Sequence, residues 1–406
     1  MKVLFVHQNF PGQYLHLARH LAATGHEVVA ITQRKNLALP GIKTIVYEPS
    51  RAVTPNLHHY LVDTEMGVLN GQSVLRSAIS LKQSGFVPDV MLGHNGWGEI
   101  WYLKEVFPDT PLIGYFEFFY HLRGADIGFD PAVSITPDTG PRIRTKNLGN
   151  LLGLEVTDLG QCPTRWQASQ YPERYRSKLQ IVHEGIDTEY IAPDSQAKLS
   201  LPQQGLELKA GDEVLTYVSR NLEPYRGFPQ FMRSLPSVLQ GRPNAQVIIV
   251  GGDEPSYGFQ LPKGQTYRQL MQKELGDAID WRRVHFLGKV PYSTFRTILQ
   301  ISRAHVYLTY PFVLSWSMLE SMAAGCLVIG SKTPPVEEAI ADGENSVLTD
   351  FFDVNALSEK IIHALAHPGD YVRIREQARR SIIERYDLKS ICLPAQATLV
   401  ERAVRK

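Results

Sequence analysis

Short runs of apolar residues alternate along the chain with stretches in which apolar residues recur at helical spacing. In the first half these runs predict strands at Lys2–Val6, Glu27–Thr32, Lys43–Tyr47, Asp89–Leu92 and Leu112–Phe116. Continuous apolar runs, rather than strict alternation, are typical of parallel strands that are buried on both faces. The segment Gln13–Ala23 predicts a helix, and Gly25 suits the position just after its C-terminus.

The same alternation begins again at about residue 213. Here the runs predict strands at Val214–Ser219, Gln246–Val250, Val284–Leu287, His305–Thr309 and Leu327–Gly330. After the first of them, Phe228, Phe231, Met232 and Leu235 follow the spacing of one helix face. Strand–helix alternation gives a parallel sheet covered by helices on both faces. The two series therefore predict an α/β protein with two doubly wound domains that face each other across a cleft.

The chain is predicted to divide into an N-terminal domain (1–190), a linker (191–212), a second domain (213–385) and a C-terminal helix (386–406) that packs back on the first domain. The linker is polar and contains Pro193, Pro202 and Gly205. Ligands of open α/β sheets bind beyond the carboxyl ends of the strands. Catalytic and ligand-binding residues are therefore expected directly after the strands.

Composition narrows the class of protein. Lysine and arginine (42) nearly balance aspartate and glutamate (41) in 406 residues, which argues against a nucleic-acid binder. The cysteines Cys162, Cys326 and Cys392 are odd in number and far apart, as expected in a reducing compartment. The apolar run Val3–Val6 is too short for a secretory signal, and no run reaches the roughly 18 apolar residues of a membrane span. We expect a cytoplasmic protein.

Two arginines follow the first strand of the second series. Arg220 and Arg226 lie in the loop Ser219–Gly227, which leads into a helix. Guanidinium groups stay charged and bind phosphate oxygens in pairs, and helix N-termini add oriented amides, so this loop suits a diphosphate. The alternative is that both arginines are surface charges. After the next strand, Gly251 and Gly252 allow a close approach of the backbone to a ligand, although such turns are common.

A third loop precedes a helix that carries Glu320. Ser315 or Ser317 is a candidate cap for this helix, whose amides would then form an anion site. A carboxylate one turn inside the helix can accept both hydroxyls of a ribose. The alternative is an exposed helix glutamate, but the apolar neighbours Met318, Leu319 and Met322 argue against full exposure.

Several motifs together resemble the retaining family 4 glycosyltransferases. In the second half they are Ser219-Arg220 with Tyr225-Arg226-Gly227, Gly251-Gly252-Asp253-Glu254-Pro255, Phe286-Leu287-Gly288-Lys289-Val290 and Leu319-Glu320-Ser321-Met322-Ala323-Ala324-Gly325. In the first half they are Asn9-Phe10-Pro11-Gly12-Gln13, the strand Asp89–His94 and His183-Glu184-Gly185-Ile186-Asp187. The motifs occur in the family's order and span nearly the whole chain. The resemblance implies the GT-B architecture of two Rossmann-like domains.

The resemblance also implies roles for individual residues. Arg220 and Arg226 would hold the diphosphate of a nucleotide-sugar donor, with Arg226 in place of the commoner lysine. Glu320 would hold the ribose, and Gly12 would let the first loop approach the reaction centre. The remaining candidate donor-binding residues are Gly251, Ser315, Trp316 and Ser317.

The chain departs from the family pattern at three positions. The family usually carries two glutamates eight positions apart; Glu320 is the second, and Phe312 takes the place of the first. Ser315 replaces a flexible glycine, and Glu117 stands where relatives often carry a histidine. Either the donor sugar is held differently, with Glu117 compensating, or the activity is altered or lost.

The expected activity is transfer of a sugar from a nucleotide sugar to an acceptor hydroxyl. By resemblance, the anomeric configuration is retained through attack on the front face. Fixed positive charge at the diphosphate favours the transition state without a metal ion or other cofactor, and the sequence contains no Asp-x-Asp metal motif. Glu117, His94 and His121 are candidates for orienting the acceptor, with Tyr120 and Phe119 as further acceptor contacts.

Three alternatives stay open. The first is a nucleotide-sugar epimerase on the same architecture, and the second is a non-catalytic nucleotide-sugar binding protein. The third is a dinucleotide-dependent oxidoreductase, against which the lack of G-x-G-x-x-G after either first strand counts.

The partners are defined only by class. The donor is expected to carry UDP or GDP, and the sequence specifies neither the acceptor molecule nor the oligomeric state. The segment Asp126–Leu152 places Arg142, Arg144 and Lys146 before Leu148, Leu151 and Leu152. It predicts either a loop with an ordinary helix or peripheral contact with the anionic inner face of the cell membrane.

Overall fold

A computed structural model describes residues 1–202, 205–254, 256–258 and 261–405. It divides the chain into two compact units. The first comprises Met1–Gly185 and Leu388–Lys406, and the second comprises Ile186–Asp387. Within the described ranges, no helix combines the length and the apolar character needed to cross a bilayer.

The first unit is built on a seven-stranded sheet in which all neighbouring strands are parallel. The strand order is β3-β2-β1-β4-β5-β6-β7, so the order reverses between β1 and β4. The five strands predicted for this half are confirmed, and two short strands, β6 and β7, are added. The strands are β1 (Lys2–Val6), β2 (Glu27–Thr32), β3 (Ile42–Val46), β4 (Val90–His94), β5 (Leu112–Tyr115), β6 (Leu159–Cys162) and β7 (Leu179–Ile181).

Helices cover both faces of this sheet. Alternate residues of β1 serve opposite cores: Val3 and Phe5 pack with Leu17 of the first helix, while Leu4 and Val6 pack with residues of the second. Because both faces are apolar, β1 carries no polar side chain from Val3 to Val6. The helices before residue 185 are α1 (Leu15–Ala23), α2 (Val62–Gln83), α3 (Leu103–Val106), α4 (Thr139–Lys146), α5 (Leu148–Val156), α6 (Arg165–Ser169) and α7 (Glu173–Arg176).

Helix α1 ends as its sequence predicts. Gly25 has φ +85°, a conformation that side chains other than glycine disfavour. Its amide donates to the carbonyl of Ala22, and the amide of His26 donates to that of Leu21. This pair of bonds is the Schellman arrangement that closes a helix, and it directs the chain into β2.

The second unit repeats the doubly wound pattern with a six-stranded parallel sheet in the order β12-β11-β10-β13-β14-β15. The order reverses between β10 and β13. All five predicted strands of this half are confirmed, and the short edge strand β15 is added. The sheet contains β10 (Val214–Asn221), β11 (Gln246–Gly252), β12 (Val284–Gly288), β13 (Ala304–Tyr307), β14 (Leu327–Ser331) and β15 (Val347–Thr349).

Seven helices of the described chain surround this second sheet. The predicted apolar face of the first is confirmed, because Phe228, Phe231, Met232 and Leu235 are all fully buried. The helices are α8 (Phe228–Gly241), α9 (Tyr267–Leu275), α10 (Tyr292–Ile301), α11 (Trp316–Ala323), α12 (Pro334–Glu337), α13 (Val354–Ala366) and α14 (Val372–Tyr386).

The segment 191–212, predicted as a linker, belongs to the second unit instead. It forms an antiparallel hairpin of β8 (Lys198–Leu201) and β9 (Leu206–Lys209). Leu199, Leu201 and Leu208 of this hairpin pack in one core cluster with Ile248 of the sheet and Ile298 of α10. The prediction of a linker was wrong because the alternating leucines, which are buried in this core, determine the structure of the segment more than its proline and glycine residues do. Residues 203 and 204 of this segment lie outside the described residues.

The chain passes between the units at Gly185–Ile186 and again at Asp387–Leu388, where the sequence placed boundaries at 190 and 385. Its last helix, α15 (Leu393–Val404), belongs to the first unit. There Leu399, Val400 and Ala403 join the core on the α1 side of the sheet.

Candidate functional site

In the second unit, polar side chains gather where the strand order reverses between β10 and β13. Arg226 ends a short 3₁₀ helix, Pro224–Arg226, in the loop after β10. The guanidinium Nη1 donates to Thr309 Oγ1 (2.7 Å), to the Val313 carbonyl (2.9 Å) and to Tyr307 Oη (3.2 Å). Since Tyr307 and Thr309 come from β13 and its loop, Arg226 bridges the two sides of the switch point, where doubly wound sheets bind ligands.

Arg226 is only 8% exposed, whereas Arg220 at the end of β10 is exposed to solvent. The two predicted diphosphate residues are thus placed differently. Arg226 has most of its surface in protein contacts, while Arg220 can reorient towards a ligand. Because a guanidinium remains charged in proteins, Arg226 provides buried positive charge at the switch point.

The two glycines at the end of β11 are required by the close approach of β10 and the loop that follows it. A Cβ added to Gly251 would lie 2.8 Å from a Leu222 side-chain carbon, and one added to Gly252 would lie 2.4 Å from Asn221 Oδ1. Both glycines thus approach the end of β10 and the loop after it, and a close approach to a ligand at Gly251 stays a prediction. Pro255 of the same motif lies outside the described residues.

Glu223, which the sequence did not single out, lies in the loop after β10 and is 1% exposed. Its Oε2 accepts from three successive backbone amides, those of Ser256 (3.2 Å), Tyr257 (3.0 Å) and Gly258 (2.9 Å). The ring of Tyr257 in turn lies 5.5 Å from the Arg226 guanidinium carbon. Glu223 thus fixes the segment 256–258 beside Arg226. No sequence signal marks this carboxylate, because its partners lie more than thirty residues further on.

Phe312, in the place of the family's first glutamate, is 4% exposed and packs among aromatic rings. Its ring centroid lies 5.0 Å from that of Tyr257 and 5.5 Å from that of Tyr225. Tyr225 also stacks on Tyr310 at 4.7 Å. An apolar side chain at position 312 therefore completes an aromatic cluster beside Arg226.

Helix α11 begins at the same place. Ser315 is its N-cap, and Ser315 Oγ accepts from the Ser317 amide (3.3 Å). The amide of Ser315 donates to Tyr307 Oη (2.8 Å), the hydroxyl that Arg226 also contacts. Arg226 and the start of α11 are thus linked through one tyrosine. Trp316, the first residue of the helix, is 41% exposed, and Ser317 is buried.

Glu320 lies on the second turn of α11 and is 9% exposed, so the prediction that it is not fully exposed is confirmed. Its Oε1 accepts from Tyr292 Oη of α10 (2.6 Å). Burial raises the pKa of Glu320 to about 7, and the Tyr292 hydrogen bond opposes this rise. The protonated form of this carboxyl group therefore persists to higher pH than in an exposed glutamate.

In the first unit, two histidines meet where the strand order reverses between β1 and β4. His7 follows β1 and His94 ends β4, with ring centroids 5.3 Å apart. His94 also stacks on Trp97 (4.3 Å) and on Tyr115 (5.1 Å). Both histidines are buried. Burial lowers the pKa of His7 to about 4, opposed by its hydrogen bond to Gln13, and lowers that of His94 well below its usual value, with a further contribution from His7.

The same local bond orients three histidines of this unit. In each, the ring Nδ1 accepts from the backbone amide two residues further on, at 2.9 Å: His7 from Asn9, His94 from Gly96 and His183 from Gly185. A neutral imidazole whose Nδ1 accepts carries its proton on Nε2. Their Nε2 atoms are therefore hydrogen-bond donors.

Carboxylates lie near two of these donors. His94 Nε2 is 3.9 Å from Glu117 Oε2, and His183 Nε2 is 3.7 Å from Glu184 Oε2. Tyr115 Oη donates to Glu184 Oε1 at 2.6 Å. The predicted residues His94 and Glu117 are thus brought together at the carboxyl edge of the sheet, and the structure adds His7 and Glu184. In the described ranges, no group of three or more His, Cys, Asp or Glu side chains is arranged to hold a metal ion.

Gly12 approaches one of these rings. It has φ +46°, and an added Cβ would lie 2.7 Å from His7 Nε2. His7 Nε2 lies 2.9 Å from Gln13 Oε1, the neighbouring side chain. The first loop therefore needs a glycine at position 12 to close over His7.

The three residues predicted as acceptor contacts hold the loop after β5. His121 Nε2 lies 2.7 Å from the Gln170 carbonyl. Phe119 packs on Tyr171 at 5.5 Å. The ring of Tyr120 lies 4.3 Å from Lys146 Nζ. These contacts are internal to the unit, and a role in acceptor binding stays a prediction.

Two family models match the chain. A model described as glycosyl transferase family 4 group matches residues 24–191, and one described as glycosyl transferases group 1 matches residues 203–381. The chain belongs to the family 4, group 1 glycosyltransferases.

Curated relatives match at low identity. One is the D-inositol 3-phosphate glycosyltransferase of Corynebacterium glutamicum, 25% identical over 50% of this chain and 46% of the relative. Another is the phosphatidyl-myo-inositol mannosyltransferase of Mycolicibacterium smegmatis, 26% identical over 58% of this chain and 53% of the relative. The chain thus spans about half the length of these relatives.

Solved structures show the same fold over the full length. The superposition on sucrose-phosphate synthase from Thermosynechococcus elongatus covers 100% of both chains, with a TM-score of 0.75 at 17% identity. HepE from Anabaena, solved with UDP-glucose, covers 99% of this chain and 100% of its own, with a TM-score of 0.69 at 15% identity. The fold of the chain is therefore GT-B, as the sequence predicts.

Proposed function

We propose that the protein transfers a sugar from a nucleotide-sugar donor to an acceptor hydroxyl, with retention of anomeric configuration and without a metal ion. Family membership supports the reaction class, and the neighbour solved with UDP-glucose supports a nucleotide-sugar donor. The donor base is proposed to be uracil or guanine, since one relative is named as a GDP-mannose-dependent mannosyltransferase.

One arrangement carries the proposal: Arg226, buried at the β10–β13 switch point, together with exposed Arg220 and with Glu320 on α11. As the bond between sugar and phosphate breaks, negative charge grows on the leaving diphosphate. Arginine charge held in place before the reaction stabilises that state without reorganisation cost. Glu320, which already accepts from a hydroxyl of Tyr292, can accept from ribose hydroxyls in the same way.

On the first unit, His94 and Glu117 are proposed to orient the acceptor. The Nε2 proton of His94 suits a hydroxyl oxygen, and the Glu117 carboxylate suits a hydroxyl proton. We further propose a cytoplasmic location, which fits three buried thiols.

The test begins with a thermal-shift panel of UDP, GDP, ADP and their sugars. A ligand at 100 times its dissociation constant should raise the free energy of unfolding by about 2.7 kcal/mol. Transfer is then measured at limiting donor for wild type and Arg220→Ala, with and without EDTA. Loss of one charged contact, about 1.5–3 kcal/mol, should lower kcat/KM roughly tenfold to a hundredfold.

Arg373→Ala is the matched control, because Arg373 is an exposed arginine on α14. It should leave transfer unchanged. Equal transfer by wild type and Arg220→Ala would contradict the assignment of the diphosphate site. Loss of activity with EDTA would contradict metal independence, and conversion of the donor alone into an epimer would favour the epimerase instead.

A further inference from the structure

The last residue of β10 and the loop after it contain two buried acceptor atoms that the described residues leave without a donor. They are Glu223 Oε1 and Asn221 Oδ1. Solvent does not reach either oxygen, so bulk water cannot satisfy them. Native proteins pair nearly all such atoms, and an exception calls for an explanation.

The other polar atoms of these two side chains are well bonded. Glu223 Oε2 accepts from the amides of residues 256–258, and Asn221 Nδ2 donates to Ser256 Oγ at 2.6 Å. Both side chains are therefore held by the same short segment. Their remaining oxygens are fixed in position and are not required to anchor that segment.

The chemistry of the two atoms restricts what they can bind. A carboxylate and an amide oxygen only accept hydrogen bonds, so the ligand must present donors. A phosphate is excluded, because like charges at close range repel each other. Hydroxyl groups meet both requirements, and two acceptors on one loop match a pair of hydroxyls.

The location then selects the hydroxyl-bearing molecule. Glu223 lies three residues before Arg226, and Tyr257, whose amide bonds Glu223, lies against the Arg226 guanidinium. If Arg226 holds the diphosphate of the donor, the two groups attached to that diphosphate, the ribose and the sugar, lie next to it. Because the ribose is assigned to Glu320, the sugar is the group left for the loop after β10. The side chain of Phe312 offers no hydrogen-bond acceptor, whereas Asn221 and Glu223 each offer one.

We propose that Glu223 Oε1 and Asn221 Oδ1 accept hydrogen bonds from hydroxyl groups of the donor sugar, and so determine which sugar is used. The inference rests on the proposed function.

The test compares Glu223→Gln with wild type in calorimetric titrations of UDP, UDP-glucose, GDP and GDP-mannose. Glutamine keeps one oxygen for the three amides and turns the other position into a donor, so the loop is retained. The measured quantity is the ratio of the dissociation constants of nucleotide and nucleotide sugar. Wild type should bind the nucleotide sugar more tightly than the nucleotide. In Glu223→Gln this ratio should be at least tenfold smaller, while the affinity for the nucleotide stays the same.

Two variants separate this role from a structural one. Ser256→Ala removes the partner of Asn221 Nδ2 but keeps both acceptor oxygens and all three backbone amides that hold Glu223, so it should keep most of the ratio. Glu384→Gln, an exposed glutamate on α14, controls for lost charge. If Glu223→Gln does not fold, Asn221→Ala tests the second acceptor in the same way.

The outcomes are distinguishable. An unchanged ratio in Glu223→Gln, with normal nucleotide binding, overturns the inference and leaves the proposed function intact. An equal loss in Ser256→Ala also overturns it, since anchoring alone would then explain the effect. Failure of wild type to bind any of the four probes overturns the proposed function together with the inference.

Discussion

Glu320 and Tyr292 share a hydrogen bond in a buried environment, and this has a consequence for stability. The usual pKa of a glutamate, 4.5, rises to about 7 here because burial disfavours the charged carboxylate. Between these values the folded protein keeps a proton that the unfolded chain has released. Protonation of Glu320 therefore stabilises the fold below pH 4.5, and this contribution is lost as the pH rises through about 7.

We expect Glu320→Gln, which does not titrate, to remove this pH dependence. The free energy of unfolding of wild type relative to the variant should fall by up to about 3 kcal/mol between pH 4.5 and pH 8, since one pKa unit corresponds to about 1.4 kcal/mol. Denaturant titrations at a series of pH values measure this difference. A difference that stays constant with pH would show that Glu320 has an ordinary pKa.

The candidate residues could be predicted only in part from the sequence. Arg226 was found because a loop between a strand and a helix suits a phosphate, but its burial depends on Thr309 and Val313, more than eighty residues away. Glu223 was missed, because a glutamate in a loop has no local feature that marks it as buried. The burial and role of a residue whose partners lie far away in the sequence cannot be predicted from the local spacing of residue types.

Helix α11 shows how local sequence fixes an element of the site. Ser315 caps the helix and its amide bonds Tyr307 Oη, so the first turn is held to β13. The helix is also almost wholly buried from Ser317 onwards. Its position therefore depends on the cap as well as on packing.

We expect Ser315→Ala to lower the free energy of unfolding by about 0.5–2 kcal/mol, the usual effect of losing an N-cap. Under the proposed function it should also weaken nucleotide binding, because the helix start would lose its orientation next to Arg226. Thr266→Ala is the matched control, since Thr266 caps α9 through its own side chain. It should cost similar stability without a change in nucleotide affinity, measured by calorimetry.

Strands were predicted best where apolar runs were long. β1 and β2 have the predicted bounds because each buries both faces. β6 and β7 were missed, since they have only four and three residues and contain glutamines. Helix α2 was missed for another reason: Gly67 and Gly71, poor helix formers, are needed because Trp101 and Tyr102 pack against them. The formation of β6, β7 and α2 therefore depends on tertiary packing rather than on local sequence preference.

Helix α14 lies in the second unit, but the chain ends in the first unit. Residues from Leu388 onwards return to the first unit, where α15 completes the core around β1 and α1. The first unit is therefore built from both ends of the chain. Sequence patterns suggested a terminal helix, but only the packing of Leu399 and Val400 identifies its partner.

We expect Leu399→Ala, which empties a buried site, to lower the free energy of unfolding by about 2–5 kcal/mol. Val404, on the same helix, is 38% exposed, so Val404→Ala should change stability by no more than about 0.5 kcal/mol. Denaturant unfolding followed by tryptophan fluorescence measures both. Similar effects of the two variants would contradict a core role for α15.

Backbone amides donate hydrogen bonds to Nδ1 of His7, His94 and His183, and this restricts how these rings can transfer protons during catalysis. Burial lowers the pKa values of His7 and His94, so these two rings are poor acceptors for the proton of an incoming nucleophile. If sugar is transferred as proposed, His94 polarises the acceptor oxygen through its Nε2 proton, and the acceptor proton passes to the departing phosphate or to Glu117 rather than to an imidazole. The rate should then show no acidic or neutral inflection that belongs to an imidazole.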